Sequence, residues 1–401
     1  GGRHDTLLSA IQWSWNLLEP DEKEVMRQCA IFAGGFAIED AESVVQLDGG
    51  DRGVVEVLEA VRQHSLIRSD RPAEFPEETR LYFYVTVREF LRAQTDVGVD
   101  RDLHRRHASY FGERGEQWSG RAAAELSDES RRRLVMNRDN LMRAHRNALE
   151  IEGDLAARLA LVFEPLCHVE LPGEVYLDML DRTLEQSRSN GTSLQSIRLA
   201  RGTLRTELGL TRLALDDLRI SADEAVDVGR DVLVDCWIAR SDVEARLGRP
   251  EEADRAASTA VSIALQDAED TPPTLSSAFA CASYAERLAL SSLHDQAAEQ
   301  LGAAMEIVGG LSMAIPARVL SRQAAALSAK GELDRAAEFL EESLESGRQN
   351  RRPVDHDRDR IERSMLAMAR QRDDSRADLR EWLERRETAL LAHHRARAFC
   401  A

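Results

Sequence analysis

Apolar residues recur at helical spacing through the first 64 residues and then give way to short β-branched and aromatic segments. An apolar residue at every third or fourth position predicts amphipathic helices. Pro72 and Pro76 separate the two later segments, which is typical of a hairpin with a polar tip. The predicted elements are helices over 6–18, 20–32, 39–45 and 54–64, strands over 66–68 and 80–85, and a helix over 86–94. Helices followed by a two-stranded hairpin predict a winged-helix domain.

The next ninety residues show helical periodicity without strand signals. Glycine and proline residues interrupt the pattern and mark the predicted helix ends. The predicted helices cover 102–113, 128–150, 154–169 and 174–187, with breaks at Gly115, Gly153, Pro172 and Gly191.

From about residue 190 onward, small residues recur in pairs twelve positions apart. The pairs are Gly202 and Ala214, Ser241 and Ala253, Ala285 and Ala297, and Ala324 and Ala336. Between the members of each pair the pattern is helix, short break, helix, so the small residues mark the closest approach of two antiparallel helices. The pairs repeat about every 40 residues, somewhat more than the roughly 34 residues of a standard tetratricopeptide repeat. Stacked helical hairpins, which form an α-solenoid, are the predicted architecture.

The breaks inside these hairpins carry a second repeated signal. Gly209, Gly248 and Gly331 each lie five residues before the second small residue, and Ser292 replaces the glycine in the third hairpin. The predicted fold is therefore mostly α-helical, with a small winged-helix domain and a two-stranded wing before the solenoid. The predicted domains are 1–97 (winged helix), 98–190 (helical connector), 191–350 (tetratricopeptide-like repeats) and 351–401 (degenerate capping hairpin).

Charge and cysteine content limit the possible partners. The formal net charge of −18 disfavours general affinity for nucleic acid or an anionic membrane, although a local basic patch stays possible. The five cysteines are widely spaced, which predicts reduced thiols and a cytoplasmic protein. The sequence contains no run of 18 apolar residues, so it predicts no membrane span. The arginine-rich composition is typical of a GC-rich bacterial genome.

No pattern for catalysis stands out. The phosphate-binding pattern G-x-x-x-x-G-K-[ST] is missing, and the pairs Gly34-Gly35 and Gly49-Gly50 predict turns. His104 and His107 have a spacing that can ligate a metal, but neighbouring arginines disfavour a cation. We therefore expect no catalytic residue, no metal site and no enzyme activity in this chain.

Two segments resemble a known family. Residues 3–36, RHDTLLSAIQWSWNLLEPDEKEVMRQCAIFAGGF, resemble the segment after the nucleotide-binding module of bacterial STAND regulators, the signal-transduction ATPases with numerous domains. The motif is carried by Arg3, His4, Thr6, Leu7, Ala10, Ile11, Trp13, Ser14, Leu17, Leu18, Pro20, Phe32, Gly34, Gly35 and Phe36. Residues 82–94 resemble the second wing strand and next helix of that family, and residues 137–148 resemble a helix that leads into its tetratricopeptide-like repeats.

The resemblance implies an autoinhibited switch. In that family the ATPase module binds ADP, the winged helix packs on it, and a C-terminal array releases the lock when its ligand binds. Because this chain lacks a phosphate loop, the resemblance places the ATPase module, with its ATP or ADP, outside this chain. We expect no cofactor here, and the chain's own nucleotide-binding module as one partner.

The expected ligand surface is the concave side of the solenoid, which the first helix of each hairpin lines. Its arginines could hold an acidic or C-terminal carboxylate ligand by bidentate contacts. The alternative is that these side chains form ordinary solvated helix faces. The ligand would be a protein, a peptide or a small molecule. The candidate residues are Arg198, Arg201, Arg205, Asp235, Ile238, Asp242, Phe279, Glu286, Arg318 and Arg322.

Two other functions stay open. The winged helix could read DNA in a transcription regulator with a repeat-type interaction arm. The predicted recognition helix over 54–66 carries Glu56 and Glu59 beside Arg62 and His64, which is unfavourable for contacts to phosphates and bases. DNA is therefore an unlikely partner. The chain could also be a tetratricopeptide scaffold that does not switch.

Overall fold

The computed structural model describes most of the chain up to residue 346, and its contacts divide the chain into two compact units. The first unit consists chiefly of Gly1–Pro165, and the second of Leu166–Glu185 and Ser189–Ala401. The predicted connector, 98–190, is thereby shared between the units. The described residues are 3–47, 52–94, 101–124, 128–167, 171–186, 192–223, 229–266, 271–346, 359 and 362–363.

The first unit begins with helices that lead into a small antiparallel sheet. Its first elements are α1 (Arg3–Asn16), α2 (Pro20–Cys29), β1 (Phe36–Ala37), α3 (Ile38–Val44), α4 (Val54–Gln63), β2 (Ile67–Asp70), β3 (Arg80–Phe83) and α5 (Val85–Gln94). The sheet has three strands in the order β1-β3-β2: β2 and β3 form the predicted hairpin, and β1, which was not predicted, pairs with β3. A strand of two residues is too short to show an alternating pattern, and only its pairing with β3 defines it.

The loop before β1 is fixed by side chains from other elements. The Asn140 side-chain oxygen accepts a hydrogen bond from the Ala33 backbone NH at 2.8 Å, and its amide donates to the Gly35 carbonyl at 2.9 Å. A Cβ atom on Gly35 would lie 2.3 Å from the Tyr82 ring. The Gly34-Gly35 turn of the sequence is therefore a place of close approach between the loop and the sheet.

Four more helices complete the first unit, and they correct two predicted boundaries. Gly115 was predicted to end a helix but lies inside α6, where a Cβ atom would come within 2.8 Å of Val162. The predicted helix 128–150 is two helices separated at Asn137, whose side-chain oxygen accepts a hydrogen bond from Arg80 at 2.9 Å. The helices are α6 (Arg101–Ala124), α7 (Asp128–Met136), α8 (Arg138–Ile151) and α9 (Gly153–Leu161).

The second unit is a series of helical hairpins, as the repeated small residues predicted. Its helices are α10 (Gly173–Gln186), α11 (Thr192–Glu207), α12 (Thr211–Asp223), α13 (Arg230–Arg246), α14 (Pro250–Ala264), α15 (Leu275–Leu290), α16 (His294–Gly310), α17 (Ala317–Lys330) and α18 (Leu333–Ser346). The small residues are buried between paired helices, and the Ser241 hydroxyl donates to the Ala253 carbonyl at 2.8 Å. Within the described residues, no helix is long and apolar enough to span a bilayer.

The hairpin turns require a left-handed backbone conformation, which glycine adopts without a steric penalty. Ser292, which replaces glycine in the third hairpin, takes the same conformation, with φ of 63°. The glycine values are 78° at Gly209, 75° at Gly248 and 89° at Gly331.

The predicted capping hairpin, 351–401, lies outside the described residues except for three positions. One of them, Asp359, is buried and accepts hydrogen bonds from the hydroxyls of Ser321 at 2.7 Å and Ser343 at 2.6 Å. Asp359 thus supplies the acceptor for two serines of the last described hairpin.

We expect Gly202→Ala to destabilise the chain by about 1–3 kcal/mol. The added carbon would lie 2.8 Å from Leu218 Cγ inside a buried helix contact. The same substitution at Gly302, in the interior of α16 with open space around it, should stabilise by about 0.5–1 kcal/mol because alanine favours helix. Urea unfolding of both variants measures the difference. Shifts of the same sign in both variants would contradict the close-packing interpretation.

Candidate functional site

The first helices of successive hairpins form one layer in the second unit. Helix α15 packs against α13 on one side and α17 on the other. Asp235, Phe279 and Arg318 occupy equivalent positions, six residues before the small residue of each helix. We call these three residues the first row.

Contacts in the first row connect neighbouring helices. The Ser276 hydroxyl of α15 donates to the Asp235 carboxylate of α13 at 3.3 Å. The Arg318 guanidinium of α17 lies 4.8 Å from the centre of the Phe279 ring, a cation–π contact. Arg318 is exposed, and Phe279 and Asp235 are half-buried, so part of this row faces solvent. Three of the predicted ligand residues are therefore brought together.

One to two helical turns further along the layer, three charged residues form an ion triad. Arg322 of α17 lies 2.5 Å from the Asp242 carboxylate of α13 and also binds the Glu286 carboxylate of α15. The Arg322 side chain is only 8% exposed. Burial alone would lower the pKa of Arg322, but the two carboxylates outweigh it and hold the pKa above its ordinary value. The triad connects three helices through a single guanidinium group.

The two arginines of α11 are engaged with internal carboxylates. Arg201 binds Asp181 of α10 at 2.7 Å and Asp217 of α12 at 2.5 Å. Arg205 binds the same two carboxylates at 3.1 and 2.8 Å. The Asp217 side chain is 4% exposed, so removing its cations would leave a buried charge. Arg201 and Arg205 thus bind carboxylates of the chain itself, and their predicted contact with a ligand carboxylate stays a prediction.

Two predicted ligand residues remain. Ile238 is fully buried in the core formed with Val234 and Ala260, so its prediction as a ligand-facing residue is wrong. Ile238 lies on the side of α13 that packs against α14, the second helix of the same hairpin. Arg198 is half-buried and lies 3.5 Å from the Gln195 side-chain oxygen.

The sequence did not predict three acidic residues that bind arginines in the second unit. Asp181, Asp217 and Glu244 pair with arginines of neighbouring helices, and Glu244 is fully buried between Arg219 and Arg249. None of the three recurs at an equivalent position in the other hairpins, so the repeat gave no signal for them.

The histidine pair with metal-ligand spacing has a different environment from the one a metal requires. His107 is fully buried beside Phe32 and Phe111, and neither ring nitrogen has a hydrogen-bond partner. Burial, with the nearby charges of Arg143 and His104, lowers the pKa of His107 to about 3. In the part of the chain that the structure describes, no three histidine, cysteine or acidic side chains are placed to hold a metal ion.

A polar cleft of about 440 Å³ lies in the first unit between the sheet, α6 and α7. Two of its acids have partners: Glu78 binds Arg133 of the lining at 2.7 Å, and Asp40 accepts a hydrogen bond from Tyr110 at 2.7 Å. Burial raises the pKa of Asp40, which hydrogen bonds from Ala37 and Tyr110 only partly offset. Several lining side chains are therefore hydrogen-bonded, but the buried Nε of Arg80 has no partner.

Comparison with solved structures shows the fold. The chain is similar to a STAND protein with a tetratricopeptide repeat sensor from Pyrococcus horikoshii, with 12% identity and a TM-score of 0.50. That match covers 92% of this chain but only 58% of the length of the other. At this identity the likeness shows a tetratricopeptide-like helical fold and nothing finer.

Two further solved structures are similar at lower TM-scores. YrrB, a tetratricopeptide repeat protein with an unusual peptide-binding site, is 17% identical over 57% of this chain and 97% of its own, with a TM-score of 0.32. A Rap protein complexed with competence and sporulation factor is 10% identical over 92% of this chain and 99% of its own, with a TM-score of 0.39. No protein family and no curated protein matches the sequence.

We expect Arg322→Gln to destabilise the second unit by about 3 kcal/mol, because it leaves two partly buried carboxylates without their cation. Arg182→Gln is the matched control, since Arg182 and Asp178 form an exposed pair on α10. The control should cost less than about 1 kcal/mol. Chemical unfolding of both variants measures the difference. Equal losses would show that the triad is no more important than a surface ion pair.

We also expect His107→Phe to reduce the acid sensitivity of the protein. The unfolded chain takes up a proton at His107 near the ordinary pKa of about 6.5, whereas the folded chain does so only near pH 3. Stability should therefore fall as the pH drops below about 6.5, by up to about 1.4 kcal/mol per pH unit. Unfolding free energies from pH 7 to 4 should diverge between wild type and variant. Parallel curves would contradict the buried, neutral histidine.

Proposed function

We propose that this chain is the regulatory and ligand-sensing region of a STAND-type signalling ATPase. The observation that carries the proposal is the layer of first helices, where charged and aromatic side chains of α13, α15 and α17 come together on one face. The resemblance of residues 3–36 to the segment after the STAND nucleotide-binding module supports it. Under this proposal ATP or ADP binds in the full-length protein outside this chain.

We propose that the ligand of the layer is a protein or peptide that contacts the first row. Phe279 offers a partly exposed ring, and Arg318 and Asp235 offer opposite charges on either side of it. A peptide backbone with mixed side chains fits such a surface better than a single carboxylate. The triad, with its guanidinium buried, joins the same three helices one to two turns further along.

We interpret the first part of the first unit as a winged helix that acts in autoinhibition. Its elements follow the order helix, strand, two helices and hairpin, and the three strands pair as one sheet. The solvent-exposed face of α4 carries Glu56, Glu59 and Arg62, a surface with more acid than base. That charge disfavours DNA contact and favours a packing role.

Ligand binding can release such an inhibited state only if the ligand prefers one state of the whole protein over the other. A shift from about 1% open to about 99% open needs a difference in affinity of about 10⁴-fold between the two states. The second unit would provide that difference if its layer of first helices is accessible to the ligand in one state and blocked in the other.

A peptide array tests the ligand surface. Peptides selected by the full 401-residue chain should bind at least about tenfold more weakly to a Phe279→Ala/Arg318→Gln variant, because both contacts with the ligand are lost. Arg255→Gln is the control, since Arg255 lies on α14 with its side chain 72% exposed. Fluorescence titration gives the affinities. Equal binding by both variants would place the ligand elsewhere.

Nucleotide exchange in the full-length protein tests the switch. We expect deletion of residues 191–350 to speed the release of bound ADP, because the deletion removes the repeats that keep the ATPase module inhibited under this proposal. A selected peptide should do the same in the intact protein. An unchanged exchange rate in both experiments would favour a scaffold that does not switch. Sequence-selective DNA binding by the purified chain at physiological salt would favour the transcription regulator.

A further inference from the structure

Four arginines lie together on two helices of the first unit. Arg88 and Arg92 are one turn apart on α5, and Arg143 and Arg146 are one turn apart on α8. Arg92 and Arg146 are exposed, whereas Arg88 and Arg143 are half-buried. We call these four residues the arginine cluster.

The loop before β1 brings the two helices together. Arg88 donates to the Ala33 carbonyl at 2.5 Å, and the Asn140 side chain of α8 accepts from the Ala33 backbone NH at 2.8 Å. Asp139 lies against Gly34, with its Cβ 3.5 Å from where a glycine Cβ would be. The same short loop therefore connects the α5 and α8 sides of the cluster.

The positive charge of the cluster is not balanced by carboxylates. Among the described residues, no carboxylate forms an ion pair with Arg88, Arg92, Arg143 or Arg146. The charge of Asp139 acts on Arg88, and Glu89 and Glu150 lie one helical turn from Arg92 and Arg146. Burial lowers the pKa of Arg143, and the charges of Arg92, Arg146 and Arg88 lower it further. The buried Nε of Arg88 has no hydrogen-bond partner.

This arrangement differs from that of the buried arginines elsewhere in the chain. Arg201, Arg205 and Arg322 each bind two carboxylates. In a protein with a formal net charge of −18, acidic partners are abundant. Four guanidinium groups held together without them repel each other, and a bound anion would offset that repulsion.

We propose that the arginine cluster is a binding site for a compact polyphosphate, that is, a ligand with a di- or triphosphate group. A guanidinium group binds phosphate oxygens by two parallel hydrogen bonds, and several such groups are needed for several adjacent phosphates. Four guanidinium groups, none of them in an ion pair with a carboxylate of the described residues, match an anion with several charges. A single carboxylate would neutralise only a fraction of them.

The net charge decides between a compact anion and a nucleic acid. A nucleic acid extends beyond four side chains and would lie along an acidic protein surface, which repels its phosphates. A di- or triphosphate contacts the cluster alone. Its binding does not depend on the sensor role of the second unit.

Isothermal titration calorimetry on the full 401-residue chain tests the site, with inorganic tripolyphosphate as the probe. We expect binding that weakens as salt is added, because the contacts are exposed ion pairs. Arg92→Gln/Arg146→Gln should bind at least about tenfold more weakly, since two of the four charges are lost. Both side chains are exposed, so the fold should persist, which circular dichroism and thermal unfolding check. Arg62→Gln on α4 removes one exposed charge of the same unit and should bind like wild type.

Further titrations distinguish the sources of the phosphate. ATP that binds as tightly as tripolyphosphate would identify the phosphates alone as the ligand, and tighter binding of ATP would identify a nucleotide. Three results would overturn the proposal: no tripolyphosphate binding at millimolar concentration, equal binding by the folded double variant, or tighter binding of a DNA duplex that the double variant loses.

Discussion

The close approach of paired helices at small residues is the constraint on which the second unit depends. Ser241 and Ala285 are buried where two helices of a hairpin meet, and larger side chains would separate them. Because each hairpin is held at this distance, the first helices stack directly on one another. The spacing of small residues therefore determines which side chains share a surface many residues apart in the chain.

Charged side chains of that layer bind other charged side chains of the same unit. Arg322 connects three helices, and Arg201 with Arg205 connects three others. Buried ion pairs add little net stability compared with apolar packing, but breaking one is costly, so they favour a single arrangement of the helices. Under the proposed function, a ligand would meet only the side chains that this arrangement leaves accessible, such as Phe279 and Arg318.

The sequence predicted the elements whose signals are local and repeated. Helical periodicity, the paired small residues and the turn glycines gave the hairpins, and Ser292 shows that the turn conformation persists without glycine. Strand β1 and the role of Gly115 escaped prediction because both depend on residues distant in the chain. The pairing of Arg201 with Asp217 escaped for the same reason, because Asp217 carries no repeated signal, whereas Asp242 and Glu286 each follow the small residue of their helix. Ile238 was predicted to face the ligand but is buried, because neighbouring positions on one helix face different elements.

Amide hydrogen exchange of the full chain, with and without a selected peptide, tests the central claim that the first-helix layer is the ligand surface. We expect slower exchange in α13, α15 and α17 on binding, with little change in α14, α16 and α18. Protection confined to the second helices of the hairpins, or to the first unit, would contradict it.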